Sequence, residues 1–170
     1  MTDAVVDPIT QRAIDNAPQA VAAAVADGTH LIRQMNMRDV ESTPDRLVVE
    51  MDLTGAVSNT RGDLNGGIAA VMVDVVAGRL SARQLPKSET PRGRGVATTD
   101  MNIRFLAPVR TGPARAEGTV IRAGRRMIVL QVDVTDVGTG KLAATATVAF
   151  AVLDTPFSPA DSSPATKEAP

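Results

Sequence analysis

The stretch that most constrains this chain is Asn59 to Gln84, NTRGDLNGGIAAVMVDVVAGRLSARQ. Turn formers open it: Arg61-Gly62-Asp63, then the glycine pair Gly66-Gly67. From Ile68 to Gly78 every residue is apolar or glycine except Asp74. The β-branched residues would suit a strand. Length, the alanines and the absence of proline favour a helix buried on all sides. Arg79 and Arg83 suit its last turns, where positive charge meets the negative end of the helix dipole. An ionised carboxylate inside such a helix is costly unless partnered. The positions three and four residues from Asp74 are Ala70, Val71, Ala77 and Gly78, so a partner must come from another element. Two readings follow. Asp74 is either a structural carboxylate bonded to backbone or to a distant arginine, or a catalytic carboxylate aimed at a pocket.

A helix of this kind needs covering, and 170 residues suit one domain with a real core to cover it. The net charge of −1 points to neither nucleic acid nor an anionic membrane. With no Cys there is no disulfide, thiolate metal site or Cys nucleophile. One His, His30, excludes Ser-His-Asp chemistry and multi-His metal sites, and it reads as structural or solvated. No apolar run reaches the length of a membrane span. The acidic N-terminus MTDAVVDP carries no signal-peptide pattern, so the expected location is cytoplasmic.

Taken in order, residues 1–29 read as an N-terminal helical extension, with helices starting near Pro8 and Pro18 and a stop at Gly28. Residues 31–41 and 46–53 read as strands joined by a turn at Pro44-Asp45. In the second, Leu47, Val49, Met51 and Leu53 alternate with Val48, Glu50 and Asp52. After the helix, residues 85–95 form a Pro- and Gly-rich connection. Strands follow over 96–106, 114–123, 126–136 and 141–153. The first sets Met101, Ile103 and Phe105 on one face, and the last sets Leu142, Ala144, Ala146, Val148, Phe150 and Val152 on one side. Residues 154–170, rich in Pro, Ser, Ala and Thr, read as a disordered tail. The expected fold is α+β: a six-stranded antiparallel sheet wrapped around one long buried helix, over residues 30–153. One sheet covers only one side of a helix, so a second copy of the chain is expected to cover the rest, as a homodimer.

This order, with the motifs it carries, resembles the hotdog-fold acyl-CoA thioesterases, in the phenylacetate-pathway and thioesterase superfamily 4 branch. The residues that carry the resemblance are Asn59, Gly62, Asn65-Gly66-Gly67 and Asp74, then TTDMNIRFLAP (98–108), the hairpin Gly124-Arg125-Arg126 and VTDVGTGKLAATATVAF (134–150). One departure is that Asn65 stands where the family has His before the glycine pair.

The resemblance implies hydrolysis of an acyl-CoA to free acid and coenzyme A. The Gly66 N–H would polarise the thioester carbonyl, with Asn59 as an orienting amide, Asn65 beside the thioester and Gly67 permitting close approach. Asp74 would act as general base or nucleophile and Thr98 would hold the attacking water. Plain alternation puts Thr98 on the polar face with Asp100 and Thr99 on the apolar one, so Thr99 is the substitute. Arg125 and Arg126 are the candidates for the coenzyme A phosphates. No metal and no separate cofactor are implied. The family also places Asn59 and Gly66 on one subunit and Asp74 and the hydroxyl on the other, in a dimer or dimer of dimers. The alternative function is a non-catalytic acyl-CoA-binding hotdog dimer.

Overall fold

A computed structural model describes residues 19–86 and 95–153. In chain order the elements are α1 (Gln19–Ala26), α2 (Leu31–Gln34), β1 (Arg38–Ser42), β2 (Arg46–Met51), α3 (Gly66–Arg83), β3 (Val96–Phe105), β4 (Ala114–Ala123), β5 (Met127–Asp136) and β6 (Lys141–Val152). The six strands form one sheet, β1-β2-β4-β5-β6-β3, with every neighbouring pair antiparallel. Helix α3 lies against this sheet. Met72, Val73, Val76, Ala77 and Leu80 are fully buried against Leu47, Val49, Met51, Leu130, Val132 and Val148. Gly118 on β4 lets the helix come close: a Cβ there would stand 2.8 Å from Val76 Cγ1. The expected α+β architecture, a six-stranded antiparallel sheet about one long helix, is the one observed.

The helix is not enclosed on all sides by its own chain, as its composition predicts. Ile68, Val71, Asp74, Val75 and Gly78 recur at spacings of three and four and are only half-buried. The sheet covers one side of α3 and leaves this stripe.

Three further expectations are corrected. Residues 31–41 are not one strand. Residues 31–34 form a helical turn capped by His30, whose Nδ1 accepts from Ile32 N at 3.3 Å. Asn36, at φ 47°, ends it, a conformation that Asn tolerates, and the strand starts at Arg38. Leu142 does not share the buried face of β6. An extra residue at Ala143 breaks the pairing with β5, so Ala143 and Ala144 are both buried and Leu142 is exposed. In β2, Val48 and Glu50 are buried as well as Leu47, Val49 and Met51. Glu50 takes hydrogen bonds from both Arg38 and Arg115.

The expected second N-terminal helix is present as α1, with Gly28 beyond its end at φ 79°. The helix expected from Pro8, most of the 85–95 connection and the 154–170 tail lie outside the described residues. Among the described residues, no helix is long and apolar enough to cross a membrane.

Candidate active site

The site is built from two parts of the fold. The first is the turn that leads into α3. Asn59 Oδ1 accepts from the N–H groups of Arg61, at 2.8 Å, and Asp63, at 3.3 Å. Asn59 N donates to Asp63 O at 2.8 Å, and Gly62 takes the positive φ of 83° that closes the turn. Asn59 therefore shapes this loop with its side-chain oxygen. A second loop holds the turn from outside: Leu64 N donates to Val109 O at 2.9 Å, and Arg110 Nε donates to Asp63 Oδ1 at 3.1 Å. That second loop is fixed by Asp136, which is 1% exposed and accepts from the N–H groups of Arg110, Thr111 and Gly112 at 2.8–3.2 Å. Burial alone would push the Asp136 carboxyl up. The three N–H donors outweigh it and hold it below the usual aspartate range. Sequence reading passed over this latch, because alternation along β5 says nothing about what a strand's last residue bonds to.

The turn delivers the start of α3. Asn65 is its N-cap, in extended conformation, and its Oδ1 accepts from Gly67 N at 2.8 Å. The first N–H groups of a helix have no intrahelical partner. Asn65 takes that of Gly67, and the Gly66 N–H stays available at the positive end of an 18-residue helix. A ring stands beside it. The Phe105 side chain lies 3.7 Å from where a Cβ on Gly66 would be.

The second part lies two helical turns on. Thr98 Oγ1 donates to Asp74 Oδ1 at 2.8 Å. Asp74 is half-buried, on the incompletely covered stripe of α3. The partner that its own helix could not supply comes from β3. Simple alternation puts Thr98 on the wrong face, and a β-bulge corrects it. Thr98 pairs with Phe150 and Asp100 with Ala149, so Thr99 is the extra residue. Cross-strand partners share a face, and Phe150 is buried, so Thr98 faces the helix with Met101, Ile103 and Phe105. Thr99 instead donates to Ala149 O at 3.1 Å and does not approach Asp74.

The structure thus brings Asp74 to Thr98, and gathers Asn59, Asn65, Gly66 and Gly67 at the start of α3. It does not bring these two groups together within one chain. Arg125 and Arg126 stand apart from both, exposed at the tip of the β4–β5 hairpin. With Arg122, Gly124, Met127 and Val129 they line an open hollow of about 630 Å³.

Residues 61–143, which contain most of this machinery, match the family model of the thioesterase superfamily. Human acyl-coenzyme A thioesterase 13 is 31% identical over 106 residues, which span 62% of this chain and 71% of that protein. The mouse protein of the same name is 29% identical over the same shares. Among solved structures, a thioesterase from Haemophilus influenzae superposes with a TM-score of 0.67 at 21% identity, covering 77% of this chain and 87% of that one. Zebra fish thioesterase superfamily member 2 gives 0.62 at 24% identity, over 83% and 91%. These two share the fold. The sequence matches go further: the chain belongs to the thioesterase superfamily.

Proposed function

We propose that this thioester hydrolase acts on an acyl-CoA, with Asp74 as the general base and the Gly66 N–H as the donor to the thioester carbonyl. The observation that carries the reading is the Thr98–Asp74 hydrogen bond at 2.8 Å. It fixes a carboxylate oxygen and a hydroxyl side by side, the pair that would hold and deprotonate an attacking water. Water attacks the carbonyl carbon and its proton passes to Asp74. Negative charge gathers on the carbonyl oxygen, where the Gly66 N–H and the α3 dipole stabilise it. The tetrahedral intermediate then expels the coenzyme A thiolate, which takes up the proton, and the free acid is released. The name carried by the human and mouse relatives supports acyl-CoA as the substrate.

The same geometry argues for two copies. Gly66 and Asp74 are eight residues apart, about 12 Å along a helix axis, too far to serve one carbonyl and one water. Both are mirrored on β3: Phe105 lies beside Gly66, and Thr98 bonds Asp74. β3 is a sheet edge, ten residues long, with Met101 and Phe105 exposed. The other edge, β1, is five residues, mostly charged and bulged, a poor surface for pairing. Two β3 strands paired antiparallel about Asn102, each with its bulge at Thr99, put Phe105 of one opposite Thr98 of the other. Gly66 of one copy then meets Asp74 of the other. Thr98 also pairs through Phe150 to Ile128, about 10 Å across two strand spacings. The Arg125-Arg126 hairpin is therefore at the Asp74 end of the sheet, where it would meet the phosphates of coenzyme A.

The test is release of free thiol from a panel of short, long and aryl acyl-CoAs. Asp74→Ala should lower kcat by at least about 100-fold, the lower end for loss of a general base, while acyl-CoA binding is largely kept. A wild-type protein that binds acyl-CoA and hydrolyses none of the panel would instead establish a binding module. That reading draws on Asn65, whose oxygen is spent on the helix cap where the family has a histidine.

A further inference from the structure

We infer that the hollow beside Gly66 receives the acyl group, and that Phe105 sets how much acyl chain it admits. This rests on the reading just given, because it takes the thioester carbonyl to sit at the Gly66 N–H. The hollow is small, about 40 Å³. Its walls are Leu64, Ala69, Val109, Val134, Ala143 and Ala144, all buried. No polar or charged side chain lines it. The Ala143 carbonyl, the polar group nearest to being left over at the β6 bulge, already accepts from Leu106 N and Ala107 N at 2.8 and 3.1 Å. Beyond the Gly66 N–H at its rim, such a slot offers no hydrogen-bonding side chain to an amide or a phosphate, which would lose hydrogen bonds on entering. It fits hydrocarbon continuing from the carbonyl carbon.

Phe105 forms the mouth. Its ring carbons lie 3.7 and 3.8 Å from the position of a Gly66 Cβ, and the residue is 56% exposed. Of the residues that line the hollow, Phe105 is the bulkiest. Phe105 stands on the exposed β3 edge and outside the buried cluster, so shortening it takes away bulk at the mouth, beside the surface that the proposed dimer covers. The wild type should therefore favour acetyl and butyryl thioesters over hexanoyl and decanoyl. Phe105→Ala should extend the range and Phe105→Trp should shorten it.

The measurement is kcat/KM on acetyl-, butyryl-, hexanoyl- and decanoyl-CoA for the wild type and both variants. The ratio between chain lengths is independent of how much of a variant folds. Phe105→Ala should raise the decanoyl-to-acetyl ratio by about 10-fold or more, the scale on which apolar pockets discriminate by size, and Phe105→Trp should move it the other way. Ratios unchanged in both variants would overturn the inference. A companion series measures binding of the same four thioesters by calorimetry to Asp74→Asn and to Asp74→Asn with Phe105→Ala. If the wild type hydrolyses none of them, the catalytic reading has failed, and the chain-length dependence of affinity still decides whether the slot holds the acyl group.

Discussion

Thr98 is the residue on which the chemistry turns most finely, because its one hydroxyl serves Asp74 directly. Removing it should lower kcat by about 10- to 100-fold, toward the lower end of positioned acid–base groups, with a smaller change in KM. Thr98→Ser keeps the oxygen and should keep most of the rate. Steady-state kinetics on one acyl-CoA distinguish the pair, and a Thr98→Ala enzyme as fast as wild type would remove this residue from the reaction. Asp136 works at the same scale, but on stability. Its carboxyl is held below the usual range, so the folded chain binds that proton less readily than the unfolded chain. The stability it contributes is complete above the ordinary aspartate value of about 3.9 and is lost as pH falls through the lower folded value. Urea unfolding at pH 7 and pH 3 should show Asp136→Asn clearly less stable than wild type at neutral pH, with the gap narrowing in acid.

The elements show where close packing leaves no slack. Gly118 faces α3 with no room for a methyl group, and Val76 is fully buried on the other side of the gap. Gly118→Ala should destabilise the protein by about 1–3 kcal/mol, the range for overpacking a core, and a lowered thermal midpoint would report it. Much of the fold was legible because its longest elements repeat a simple pattern. Apolar residues alternate along β5 without interruption, and α3 is too long and too apolar for a strand. Legibility failed where one extra residue resets the alternation. At Ala143 the bulge turns Leu142 outward, and at Thr99 it turns Thr98 inward. The motif identified Thr98 where periodicity pointed to Thr99. The bulge at Thr99 is the reason, and a bulge has no composition of its own. The short turn over 31–34 was missed because its apolar residues also suit a strand, and its one marker is the capping His30. Alternation sets Phe105 on one face with Met101 and Ile103 and says nothing of whether that face is covered. The chain's own sheet ends at β3, and nothing beyond that edge covers the ring.

At the scale of the whole molecule, the proposal of a shared site makes a quantitative claim. Gly66→Pro removes the carbonyl donor at little cost to the helix. Pro is well accepted at the first helical position, and Asn65 already has φ and ψ of −64° and 130°, which suit a residue before Pro. Asp74→Ala and Gly66→Pro should each be nearly inactive alone. Unfolded together and refolded as a mixture, about half the dimers would be mixed, each with one intact site, giving about a quarter of wild-type activity. Activity that never returns would place both residues in the same copy's site. The exposed flank of β3 has one more consequence. A newly made chain carries a ledge of unanswered backbone donors and acceptors, ten residues long, beside uncovered methionine and phenylalanine side chains. Under the proposed pairing, a chain whose β3 edge stays unpaired is open to stacking with any extended peptide, so a variant that cannot pair should be the most prone to clump.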